Sequence, residues 1–227
     1  MTRTTNARIA GFTFLAYIAA GITSLVLFRR ATSGEGVAAK LAGIAAHASD
    51  VGVLVILGLV QCFSAVVLAV TLYALTRDED SHLAMLGLVC RLGEGIIAAL
   101  SIPATLTLLW LATASGAEAP DTPAARVLAA YLLRNDVALT ATFFAVGSTA
   151  FAYLLLRGRM IPVPLGWLGV IASVLLVVGL PLQLAGWLRG SITTFLWLPM
   201  LAFEVPLAVW LLTKGVADRG LIHRSRV

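Results

Sequence analysis

Charge is scarce in this chain, and histidine and cysteine are scarcer. Of its 227 residues 12% are charged, three are histidine and two are cysteine, where a soluble domain carries roughly 25% charged residues. No polar block is long enough for a separate soluble domain, so one integral membrane domain over residues 1–227 is expected. Cys62 and Cys90 lie too far apart for a disulfide framework or a thiolate metal site and read as small buried residues. His47, His82 and His223 fall in interfacial or exposed segments, which leaves no imidazole within an apolar run to ligate haem or a metal. HExxH, nucleophile-elbow and phosphate-loop patterns are missing too, which argues against a metalloprotease, a serine hydrolase or a nucleotide-driven pump. No cofactor is expected.

What fills the chain instead is apolar, with 60% hydrophobic residues and a mean hydropathy of +0.98. Such a composition belongs in a bilayer. The net charge of +5 would suggest nucleic acid in a soluble protein. Here the cations flank apolar runs, where they orient helices and meet anionic lipid, so the partner is the lipid bilayer and not nucleic acid. The sequence names no protein partner.

A helix needs about 20 apolar residues to cross the hydrocarbon core, and six stretches meet that length: Arg8–Phe28, Val51–Thr76, Leu83–Ala112, Asp136–Leu156, Leu165–Leu188 and Thr193–Thr213. The expected fold is all-α, a six-helix transmembrane bundle with short interfacial helices. One of these is expected where Val37, Leu41, Ile44 and Ala48 recur at helical spacing, another around Val127–Leu133. Asp50 and Asp136 stand where carboxylates cap helices, and Thr122-Pro123 has the form of a helix start. Pro103 should interrupt the third span and Pro181 should kink the fifth. Trp110, Trp167, Trp187, Trp197 and Trp210 fall near span ends, at the level amphipathic rings favour.

Against this background the run Cys90-Arg91-Leu92-Gly93-Glu94 stands out, because ionisable groups in hydrocarbon cost several kcal/mol unless paired or hydrated. Arg91 and Glu94 are spaced to pair on one helix face. Glu204 lies at a similar depth in the last span, counted at about 1.5 Å per residue, so the three are expected to form one cluster. Two carboxylates would then compete for one guanidinium. Pro199 and Pro206 bracket Glu204, and carbonyls freed by proline can hold a cation or polar ligand. Gln61 and Gln183 are expected to bond between helices; with Asp50 and Asp136 they are accessory candidates for the site.

Five short pieces, in order, resemble one family of bacterial membrane proteins. They are Arg8-Ile9-Ala10-Gly11, Leu72-Tyr73-Ala74-Leu75, Cys90-Arg91-Leu92-Gly93-Glu94, Met160-Ile161-Pro162 with Leu165-Gly166, and Glu204 with Trp210-Leu211-Leu212-Thr213-Lys214-Gly215-Val216. Together they are similar to the family grouped as domain of unknown function 4386, over roughly residues 8–216. The resemblance implies the six-span fold and implies that Arg91, Glu94 and Glu204 belong to the family pattern. It implies no activity. The chain departs from the family at Cys90, where phenylalanine is usual, and at Val163, where a basic residue is frequent.

Three functions fit these residues. The cluster binds or transports a small polar ligand, ion or proton; or it is an interhelical ion pair in a structural or regulatory subunit; or, ranked last, its glutamates act as general acid and base on lipid. Arg3, Arg8, Arg77, Arg157, Arg159, Lys214, Arg219, Arg224 and Arg226 gather on the side of the termini, so both termini are expected in the cytoplasm of a bacterial inner membrane. A C-terminal fluorescent-protein fusion should therefore fluoresce while a C-terminal alkaline phosphatase fusion stays inactive. The reverse pattern would invert the topology.

Overall fold

The computed structural model describes residues 2–115, 121–134 and 138–217. The described residues form α-helices without strands: α1 (Arg3–Ala31), α2 (Gly36–Ala46), α3 (Ala48–Thr76), α4 (Ser81–Ala99), α5 (Ser101–Thr113), α6 (Thr122–Leu132), α7 (Ala138–Arg157), α8 (Val163–Leu184), α9 (Ser191–Phe195) and α10 (Leu198–Thr213). Six segments are long and apolar enough to cross a membrane, with α4 plus α5 and α9 plus α10 each forming one of them. Large apolar side chains stand fully outward along these helices, Phe12 at 67%, Phe63 at 68% and Ile171 at 61% exposed. Such faces suit a lipid surrounding.

Proline accounts for both interrupted spans. Pro103 has no amide for the carbonyl of Ala99, and its ring displaces that carbonyl. The chain tightens at Leu100, whose amide donates to Ile97 O at 3.1 Å. The Ser101 hydroxyl donates to Ala98 O at 2.6 Å, satisfying one of the acceptors at the break. Pro199 leaves Phe195 O without its helical donor in the same way, and α10 restarts after Leu196–Trp197. Pro181 is carried inside α8, which closes at Leu184 rather than running to Leu188. Gly186 ends it with φ +77°: its amide donates to Gln183 O and that of Trp187 to Leu182 O, both at 2.9 Å. Only glycine takes that left-handed conformation without strain.

The residues cluster into two compact units. The first comprises residues 1–15, 64–94 and 138–227, the second residues 16–63 and 95–137. In the second, both expected interfacial segments are helices, α2 and α6. Their apolar faces meet in a core of Ala31, Ile44, Val51, Leu108, Leu111 and Ala129, so each helix packs on protein as well as facing outward. Pro123 occupies the first turn of α6. Asp50 is not a cap: α3 begins at Ala48, and Asp50 sits in its first turn, where a carboxylate complements the helix dipole. It lies 3.8 Å from the Arg30 guanidinium. Asp136 lies outside the described residues.

In the first unit one end is tied together by polar contacts. Asp80 caps α4, accepting from the amides of His82 at 3.1 Å and Leu83 at 3.0 Å, and it lies 3.6 Å from Arg157 at the end of α7. Arg3 donates to Leu75 O, and the Ala217 amide donates to Met160 O at 3.2 Å. The described ends of the chain, the α3–α4 turn and the α7–α8 turn therefore share one end of the unit, as an even number of crossings requires. Replacing Asp80 with Ala should cost about 1 kcal/mol through the lost cap, read as a fall of about 2–4 °C in the unfolding midpoint in detergent. An unchanged midpoint would remove Asp80 from this account.

Candidate functional site

Arg91 is buried in α4, at 1% exposure, and so is Glu94 at 1%. One helical turn separates them, and Arg91 Nη1 lies 2.8 Å from Glu94 Oε2. This is the pairing expected from their spacing. The guanidinium also stands over Phe144 of α7, 4.9 Å from the ring centroid, a cation–π distance worth about 0.5–2 kcal/mol depending on desolvation. Trp197, at the start of α10, packs its ring against the same Phe144 at 5.9 Å. Unlike the span-end tryptophans Trp167 and Trp187, which are largely exposed, it has a partner inside the unit.

Close helix approach makes room for the arginine stem. At Gly147 of α7 a Cβ would stand 2.9 Å from Arg91 Cγ and 3.2 Å from Cys90 Cβ, tighter than normal van der Waals contact. Any larger residue would displace the arginine. In the same unit, Gly11 of α1 meets the backbone of α10, where a Cβ would fall 2.6 Å from Ala208 O.

Glu204 projects from the buried face of α10, at 6% exposure. It joins Arg91 in the wall of a small cavity with about 10 Å³ open to the centre of a water molecule, about the space one water needs. Ser148 of α7 supplies the other polar side chain of the wall; Phe14, Leu72, Phe151 and Phe203 are among its apolar members. Helices α1, α3, α4, α7 and α10 thus meet around one point. The charges of both Arg91 and Glu94 act on Glu204. Among the described residues Glu204 makes no ion pair, and its Oε1 is buried without a hydrogen-bond partner. The expected three-member cluster is therefore assembled but unequal: the guanidinium is matched to Glu94, and Glu204 faces the cavity beside them.

Pro206 serves the helix and not the site. Ala202 and Pro206 are exposed while Phe203, Glu204 and Leu207 are buried, and at about 100° per residue Glu204 projects from the face opposite both. The carbonyl that Pro206 deprives of a donor belongs to Ala202 on that outer face. Of the accessory candidates, Asp50 and Gln61 fall in the second compact unit, where Gln61 Nε2 lies 3.3 Å from the position of a Cβ on Gly21. Gln183 is half-buried near the end of α8 and does not line the cavity. Ser148, Phe144 and Gly147 carry little signal in the sequence: a Gly-Ser pair in an apolar helix is common in membrane proteins. Among the described residues no group of acidic, histidine and cysteine side chains forms a metal site.

The profile of a family described as a domain of unknown function, DUF4386, matches residues 9–215. The chain belongs to the DUF4386 family. In this DUF4386 protein the matched region contains Arg91, Glu94, Glu204, Phe144, Gly147 and Ser148, so the whole cavity wall described above lies within the family domain. No curated protein and no solved structure matches the chain.

Removing one member of a buried ion pair costs about 3–5 kcal/mol because the other is left uncompensated, whereas replacing both with apolar residues is often neutral. Arg91→Met alone should therefore destabilise the DUF4386 protein strongly, and Arg91→Met with Glu94→Leu should recover most of the loss in detergent unfolding. Additive losses in the double variant would mean that the two side chains do not act as a pair.

Proposed function

We infer that this protein is a multi-pass protein of the bacterial inner membrane, with both termini cytoplasmic, that binds a small polar ligand, ion or proton at the cavity beside Arg91, Glu94 and Glu204, for transport across the membrane. The observation that carries the reading is Glu204, which lines that cavity and whose buried Oε1 has no hydrogen-bond partner among the described residues. Ionisable groups kept within apolar helices against such a cost mark sites by default. A bound species in the cavity supplies the missing partner. The basic residues gathered at the end shared by the termini support the orientation.

A second reading is favoured by one specific feature, the fit of Arg91 between Glu94, Phe144 and Gly147. That fit suits an ion pair that fixes α4 against α7 in a structural or regulatory subunit. It explains Arg91 and Glu94 but leaves Glu204 without a purpose. The two readings separate on Glu204→Gln, which keeps size and removes charge. In a strain deleted for the gene and screened under salt and pH stress, the binding reading predicts that Glu204→Gln accumulates like wild type yet fails to complement. Full complementation by Glu204→Gln would end it, and loss of the folded protein in Arg91→Met beside that result favours the structural reading.

A further inference from the structure

We propose that the species bound at this cavity is a single proton, shared between Glu204 Oε1 and one water molecule, and not a metal cation, an anion or an organic solute. The inference rests on the binding reading above and narrows it by charge, size and ligand count. Guanidinium is permanently cationic, and Glu94 matches it at 2.8 Å. Glu204 is then one carboxylate more than the cluster's positive charge balances, in an apolar surrounding where an uncompensated charge is costly. One positive unit restores balance. An anion would add to the imbalance instead.

Size removes the larger candidates. A cavity of about 10 Å³, open to the centre of a water molecule, holds about one water and no organic solute. Ligand count removes the metal ions. The oxygen-bearing side chains of the wall are Glu204 and Ser148, far short of the six or more oxygens that hard divalent cations take and of the carbonyl rings that replace the hydration shell of an alkali cation. A proton needs only one oxygen on each side. The titratable and charged groups facing Glu204 are Arg91 and Glu94 from α4; α1, α3 and α7 bring Phe14, Leu72, Ser148, Phe151, Ala152 and Leu155 to the wall and no titratable group. The transfer balances simply. A hydronium in the cavity gives its proton to Glu204 Oε1, one O–H bond breaking as another forms, and the neutral water stays as the hydrogen-bond partner of the new carboxylic acid. The Ser148 hydroxyl can accept from or donate to that water.

The test is infrared difference spectroscopy of the wild-type chain in lipid nanodiscs, titrated with acid and, separately, with sodium or potassium chloride at fixed pH. A carbonyl band of a buried protonated carboxyl should rise on acidification. It should shift under glutamate ¹³C labelling, be lost in Glu204→Gln, rise only at lower pH in Glu94→Gln, where the Arg91 guanidinium is left to balance Glu204, and not respond to either salt. Glu204→Asp keeps the carboxyl and should retain a displaced band, which guards against misreading a misfolded Gln variant. No such band in the labelled wild type, or a band suppressed by sodium or potassium, overturns the proton assignment. If the band is missing but Glu204→Gln still fails to complement the deletion, the binding site stands and only its ligand is wrong.

Discussion

An arginine enclosed in an apolar helix bundle must find its counter-charge and its packing within the protein, and the first unit is built around that requirement. Arg91 obtains the counter-charge from its own helix, one turn away, at 2.8 Å. That economy matters, since a partner on another helix would make the charge balance depend on how helices dock. Its stem passes Gly147 and its guanidinium covers Phe144, and Phe144 in turn carries Trp197. The pair therefore sets the approach of α7 to α4 and reaches α10 through the tilted Phe144–Trp197 ring contact.

Glu204 has a different status. It stands in the same unit, on the same cavity, under the influence of the same charges, but the pair is already complete without it. A carboxylate in this position adds nothing to the packing that a glutamine or methionine would not supply. The physical distinction is between a charge matched one turn away on its own helix and a carboxylate whose Oε1 is buried without a hydrogen-bond partner among the described residues.

The spans were legible in the sequence because membrane helices leave a length and composition signal that tertiary packing does not erase. The span limits agree to within a few residues at most ends, and where they depart the cause is local: the left-handed Gly186 closes α8 before Leu188, and Pro103 divides the third span into α4 and α5. The Arg91–Glu94 pair was legible because its geometry is intrahelical. The cavity was not, for two reasons. Ser148 and Gly147 are ordinary residues whose importance arises only when α7 docks on α4. Asp50 and Gln61 looked like site residues because polarity along a sequence says nothing of which compact unit a residue joins. Helical arithmetic also placed the carbonyl freed by Pro206 on the outer face, a step that proximity in sequence concealed.

The most direct test of the central claim is an experimental density map of the protein in a lipid nanodisc. The account predicts the Arg91 guanidinium between Glu94 and the Phe144 ring, the Glu204 carboxylate opening onto the same cavity, and one water-sized feature at Glu204 Oε1 beside Ser148. A map with Glu204 turned to lipid, or with α10 separated from Arg91 so that no common cavity exists, would contradict it.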